Sequence, residues 1–209
     1  RSDVFELLHI FFGEIKAAWE DELEGLPVRQ LSNELLEITA LQRKVTECLF
    51  DYDTLLFHGS VVAVDGDGYL FTAKSGTGKS THPRFWRETF GRRAVMVDDD
   101  KPFLKITEGG VLACGAPWSG KHGLDTNITV PLQGICILDR GKENQIEKIT
   151  REEALPMLLH QSYCPLDPKK RVCFENLVKQ LAEKTPLWRM YCNMDPAAAE
   201  VAHSAMSQI

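Results

Sequence analysis

Residues 71–81 read Phe-Thr-Ala-Lys-Ser-Gly-Thr-Gly-Lys-Ser-Thr, and the fold is read outward from them. Two apolar runs lead into this stretch, Ser60 to Val64 and Tyr69 to Phe71, with Asp65-Gly66-Asp67-Gly68 as a turn between them. A segment rich in arginine and aromatics follows. Strand, glycine-rich loop and helix in that order are the setting of a phosphate-binding loop. Gly76 and Gly78 allow successive backbone N–H groups to turn inward toward an anion. A helix starting near Lys79 adds the positive end of its dipole. Lys74, Ser75, Gly76, Thr77, Gly78, Lys79, Ser80 and Thr81 are then the residues that wrap a nucleotide's phosphates. The Lys79 ammonium reaches the terminal phosphates and the Ser80 hydroxyl takes a place on Mg²⁺. The plainer alternative is a glycine-rich turn before an ordinary helix.

Two positions depart from the strict G-x-x-x-x-G-K-[ST] pattern. Ala73 stands where the first glycine belongs, which is compatible with the motif if that residue keeps an ordinary φ < 0. Pro83 follows four residues after Lys79, so the helix starts late or bends there.

Val95-Met96-Val97-Asp98-Asp99-Asp100 is an apolar strand ending in three carboxylates. A strand end of this kind places one acid on the metal or its water shell while another takes a proton from an attacking hydroxyl. Asp99 and Asp100 are the candidates, Asp99 also as metal ligand. His58, ahead of the strand that leads into the loop, is the candidate imidazole. In the loop Pro117-Trp118-Ser119-Gly120-Lys121-His122, Lys121 is a candidate phosphate clamp, with Arg140 a weaker one. His9, His82, His160 and His203 show no pattern that singles them out.

The rest of the 209-residue chain limits the alternatives. Hydrophobic residues make up 44% and charged ones 26%, enough apolar mass for a packed core. The formal net charge is −6 and no Lys/Arg block occurs, which argues against nucleic acid as partner. No apolar run reaches the length of a membrane span, and the six cysteines are scattered without a C-x-x-C pair or zinc spacing. Reduced thiols in a cytoplasmic protein are the expectation. Residues 1–50 read as a helical N-terminal segment. It comprises a helix from about Val4 to Leu23 with an aromatic stripe (Phe5, Phe11, Phe12, Trp19), a break at Gly25-Leu26-Pro27, and a second helix with Leu31, Leu35, Ile38, Val45 and Leu49 near one face. Residues 51–209 read as short strands interrupted by helices at 79–90 and 151–161, then a helix at 168–184, a strand at 187–192 and a closing helix from Pro196. That is a mixed α/β domain.

His58-Gly59-Ser60, the hairpin, Ser75 to Thr81 and Val97-Asp98-Asp99-Asp100 together resemble the catalytic domain of HPr kinase/phosphorylase. They are also similar to the nucleotide core of ATP-dependent phosphoenolpyruvate carboxykinase. The resemblance covers residues 55 to about 140 and implies a mixed β-sheet P-loop kinase core. It implies ATP with Mg²⁺ (Mn²⁺ as alternative), Lys79 on the β- and γ-phosphates, Ser80 on the metal, Asp99 and Asp100 as the two family aspartates, and His58 as the histidine that assists the acid. The glycine-rich signature of phosphorolysis is not found, nor are the oxaloacetate-binding residues of a carboxykinase. The chain looks most like small HPr-kinase-related proteins of unassigned substrate, some of which accompany peptide-modification systems. The expected activity is phosphoryl transfer from ATP to a hydroxyl, on a serine of a protein or peptide or on a small serine-like alcohol. The alternatives are a nucleotide-dependent regulatory module that docks a partner without transfer, and a carboxykinase-like enzyme. The family's habit and the aromatic stripe lean toward a homo-oligomer.

Overall fold

The computed structural model describes residues 33–74, 77–79, 81–118 and 123–208. The chain divides into two compact units, Arg1–Leu49 and Phe50–Ile209. In the first, helix α1 runs from Asn33 to Leu49, matching the second helix read from the sequence. The Val4–Leu23 helix and its aromatic stripe lie outside the described residues.

In the second unit the strands are β1 (Thr54–Leu56), β2 (Ser60–Val64), β3 (Asp67–Thr72), β4 (Ala94–Asp98), β5 (Phe103–Thr107), β6 (Gly110–Cys114), β7 (Thr129–Arg140), β8 (Gln145–Lys148) and β9 (Leu187–Cys192). Helices α2 (Thr81–Phe90), α3 (Arg151–Gln161), α4 (Pro168–Lys184) and α5 (Ala198–Met206) are set among them. The sheet order is β1-β5-β6-β7-β3-β2-β4, and β9 pairs with both β7 and β8. Neighbours β3, β7 and β9 run parallel, whereas the other pairings are antiparallel. The mixed α/β class expected from the sequence is what the molecule shows.

Alternation along the central strands explains why both faces of the sheet are buried. Val61 and Ala63 of β2, Leu70 of β3, and Ile135 and Ile137 of β7 face one apolar cluster, closed by Phe174, Leu177 and Leu181 of α4. Val62, Val64, Tyr69, Phe71, Cys136 and Leu138 face the other, closed by Phe85 and Trp86 of α2 and by the small residues Ala198, Ala199 and Ala202 of α5. The strands therefore read as continuous apolar runs.

Two boundaries correct the sequence reading. The hairpin turn is Asp65-Gly66 alone, both at positive φ (54° and 96°), while Asp67 and Gly68 already pair within β3. An Asp-Gly pair in this left-handed conformation matches the twist of the flanking strands. Helix α2 begins at Thr81 rather than near Lys79, so Pro83 falls in its first turn, where no intrahelical N–H is lost. Ala73 is fully buried, and Asp53 and Asp65 are the positive-φ non-glycine residues among those described, so Ala73 keeps the ordinary backbone that the motif needs of it.

Candidate active site

The loop after β3 is fixed at its entry. The Ala73 carbonyl accepts a hydrogen bond from Gln161 Nε2 (3.2 Å), and the Thr72 hydroxyl donates to the His58 carbonyl (3.0 Å). His58 N–H in turn donates to the Gln161 carbonyl at 2.7 Å. Farther on, Thr77 N–H donates to the Lys74 carbonyl, and Thr81 and His82 N–H both donate to the Gly78 carbonyl, which starts α2. Gly78 sits at φ +107°, a conformation that a Cβ would strain.

Next to this loop, the segment His58-Gly59-Ser60 is stitched to the end of β4. Gly59 N–H donates to the Asp100 carbonyl (3.0 Å) and the Ser60 hydroxyl to the Asp99 carbonyl (3.0 Å). A bulge in the β2–β4 pairing, where Val61 opposes Asp98 and Val62 opposes Met96, bends the strand just before the acids. Asp98 is wholly buried and acts as the anchor of the turn. Its Oδ1 accepts from the N–H groups of Asp100 (2.9 Å) and Lys101 (2.7 Å), and its Oδ2 accepts from Ala116 (3.0 Å). Burial pushes its carboxyl up, with the three donors pulling the other way. Asp98 is so committed, whereas Asp99 and Asp100 are each partly exposed.

The side chains then converge. His58 Nε2 lies 3.4 Å from Asp100 Oδ1, and Lys79 Nζ lies 3.1 Å from the same Nε2 and 3.5 Å from Nδ1. Lys101 Nζ stands 4.0 Å from Asp100 Oδ2. A hydrogen bond from His58 holds the Asp100 carboxyl below the usual range, against the effect of burial and with help from Lys101 and Lys79. Burial pulls the Lys79 ammonium down and Asp100 partly restores it. One imidazole nitrogen cannot both accept from Lys79 and donate to Asp100.

The structure thus brings His58, Lys79 and Asp100 together, with Asp99 on the adjoining residue and Lys74, Thr77 and Thr81 on the loop and helix start. Ser75, Gly76, Ser80 and Lys121 lie outside the described residues. Arg140, at the end of β7, lines a cavity of about 530 Å³ that also touches Thr77, Gly78 and Thr81. Among the described residues no group of three or more His, Cys, Asp or Glu is placed to hold a metal ion. Two half-exposed carboxylates suit a hard divalent cation held chiefly by phosphate oxygens and water, as Mg²⁺ is. Sequence reasoning missed the anchoring role of Asp98, the part of Gln161 in fixing the loop, and His82, which lines the cavity. The first two are tertiary and leave no local pattern, but His82 and Trp86 are spaced i, i+4 on one helix.

The model of the SynChlorMet cassette protein ScmC family matches residues 26–195. The chain belongs to that family. No curated protein matches its sequence. Among solved structures, the Hpr(Ser) kinase/phosphatase from Coxiella burnetii is similar at 16% identity and a TM-score of 0.33, over 59% of this chain and 93% of that one. Among the described residues no helix is long and apolar enough to cross a membrane.

Proposed function

We propose that this ScmC-family chain is an ATP- and Mg²⁺-dependent kinase that transfers the γ-phosphoryl group to a hydroxyl, on a serine of a protein or peptide or on a small serine-like alcohol. The observation that carries the reading is the convergence of His58, Lys79 and Asp100 within 3.1–3.4 Å steps at the mouth of the loop. A phosphate-loop lysine beside a strand-end carboxylate that can take a hydroxyl proton supplies two of the parts that in-line phosphoryl transfer uses.

In this reading the loop N–H groups and Lys79 hold the β- and γ-phosphates, and Lys79 stabilises the charge of the transferring group. Asp100 accepts the proton of the attacking hydroxyl as its oxygen bonds to the γ-phosphorus and the bond to the β–γ bridging oxygen breaks. His58 orients the Asp100 carboxylate and keeps it ionised, ready to accept. Asp99 and Ser80 would hold Mg²⁺, which neutralises charge on the phosphates.

The test is calorimetric titration with ATP and Mg²⁺ beside Lys79→Ala, followed by phosphate-release and phosphoserine assays. Binding that the variant loses, with turnover in the wild type, supports the reading. No binding by the wild type refutes it, and binding without transfer to any hydroxyl acceptor reduces the chain to a nucleotide-binding module.

A further inference from the structure

The cavity beside the loop opens at the carboxyl ends of the three parallel neighbours β3, β7 and β9, where ligands of open α/β sheets bind. Thr81, His82 and Phe85 form one wall, with Arg140 beyond β7 and Asn193 and Met194 beyond β9 on the other. His58, Lys79 and Asp100 do not line it. The loop therefore has two sides, with the reactive cluster on one and a mostly apolar cavity on the other. At about 530 Å³ the cavity lies within the range of small-molecule pockets.

His82 shows what the cavity is built to hold. The residue is 2% exposed, and its ring packs edge-on against Phe71 with centroids 4.5 Å apart. The Trp86 indole N–H donates to its Nε2 at 3.1 Å. A neutral imidazole that accepts at Nε2 must carry its proton on Nδ1. That N–H finds no acceptor among the described residues, and the ring borders the cavity. Burial pulls the pKa down to about 4, so the ring is an uncharged donor at neutral pH. A donor on the cavity wall with no partner among the described residues is placed to meet a ligand acceptor.

We propose that this cavity is the nucleoside pocket of the site and that His82 is a recognition residue, donating through Nδ1–H to an acceptor on the base or ribose. The inference rests on the phosphate reading of the loop, and it fixes the direction of the bound nucleotide. The γ-phosphate points to Lys79 and Asp100, and the nucleoside lies between α2 and the segments that follow β7 and β9.

Calorimetry on the full chain with Mg²⁺ plus either ATP or inorganic tripolyphosphate separates the two ideas. Wild type is expected to bind ATP at least about tenfold more tightly than tripolyphosphate. His82→Leu should lower ATP affinity about tenfold and leave tripolyphosphate within twofold, which is the scale of one hydrogen bond. His82→Asn, which returns an N–H near the Nδ1 position, should recover most of the loss. Equal affinity of the wild type for both ligands overturns the pocket while leaving the loop reading intact. Equal loss of both ligands in His82→Leu makes His82 a packing residue and overturns its recognition role. Binding of neither ligand by wild type removes the loop reading and this inference with it. Should His82→Leu fail to fold, photolabelling of wild type with 8-azido-ATP decides. Label on residues 82–85, 140–141 or 192–194 supports the pocket, and label confined elsewhere overturns it.

Discussion

His58 and His82 lie on opposite sides of one loop and could hardly be treated more differently by the fold. His58 is exposed and stands within 3.1 Å of an ammonium and 3.4 Å of a carboxylate. His82 is sealed between Phe71 and Trp86 and is kept neutral by burial. In the proposed mechanism the same side chain has a chemical task in one place and a geometric one in the other. Solvent access decides which, because a proton can be exchanged only where the charged form is tolerated. Variants on the His58 side should change turnover, and variants on the His82 side should change affinity and stability.

The largest separation is expected from Asp100→Asn. The amide keeps the shape of the side chain but cannot take a proton, so transfer should fall by a factor of roughly 10²–10⁴, the usual worth of a general base. ATP affinity should stay within a few-fold, because the amide leaves the loop and its lysine in place. Single-turnover transfer measured beside calorimetric binding tests both halves. Unchanged transfer would remove Asp100 from the chemistry and leave Asp99 as the proton acceptor.

Asp98→Ala asks whether the third acid belongs with the reactive pair or with the scaffold. Removing it orphans three buried or half-buried N–H groups, those of Asp100, Lys101 and Ala116. A stability loss of about 3 kcal/mol is expected from the lost partners, read as a lower urea midpoint at unchanged slope. Full stability with abolished transfer would reverse the assignment and make Asp98 the reactive acid.

This division was only half legible in the sequence. Ser75 to Thr81 and the run Val95 to Asp100 announce themselves because they set particular residue types at fixed spacing. The strand Ser60–Val64 was readable to the residue because both of its faces are covered and Gly59 and Asp65 bound it. The start of strand β7 is hard to read, since Pro131 and Gln133 interrupt its apolar run, yet β6 and β3 pair with it there. Strand β8, Gln-Ile-Glu-Lys, is a polar edge with no apolar pattern to find. Among three consecutive aspartates, nothing local marks Asp98 as the anchor, because its third donor, Ala116, comes from 18 residues away. The role of Gln161 depends on α3 packing beside the loop, which is equally invisible before the chain folds.

His82 also makes a prediction about pH. Its folded pKa of about 4 lies below the ordinary value of 6.5, so between these values the unfolded chain binds more protons than the folded one. Stability from this group is complete above pH 6.5 and is lost as pH falls toward 4. At pH 5 the loss is about 2 kcal/mol relative to neutral pH by the same linkage. Urea titrations at pH 7 and pH 5 should show this slope in wild type and a shallower one in His82→Leu. Equal slopes in both proteins would mean that His82 titrates freely, contrary to its sealed position.

The smallest expected effect probes the stitch rather than the chemistry. The Ser60 hydroxyl, on a 1% exposed residue, donates to the Asp99 carbonyl and ties the His58 segment to the acids. Ser60→Ala removes one neutral hydrogen bond, worth about 1 kcal/mol of stability. The Gly59 N–H to Asp100 carbonyl bond remains, so the segment should loosen without detaching. A few-fold drop in kcat follows, since a small displacement of Asp100 against the acceptor hydroxyl degrades alignment in the transition state. ATP affinity should not move, because the loop, Lys79 and the His82 wall are untouched. A lower ATP affinity with kcat intact would mean that the stitch positions the nucleotide instead, and that the two sides of the loop are one mechanical unit.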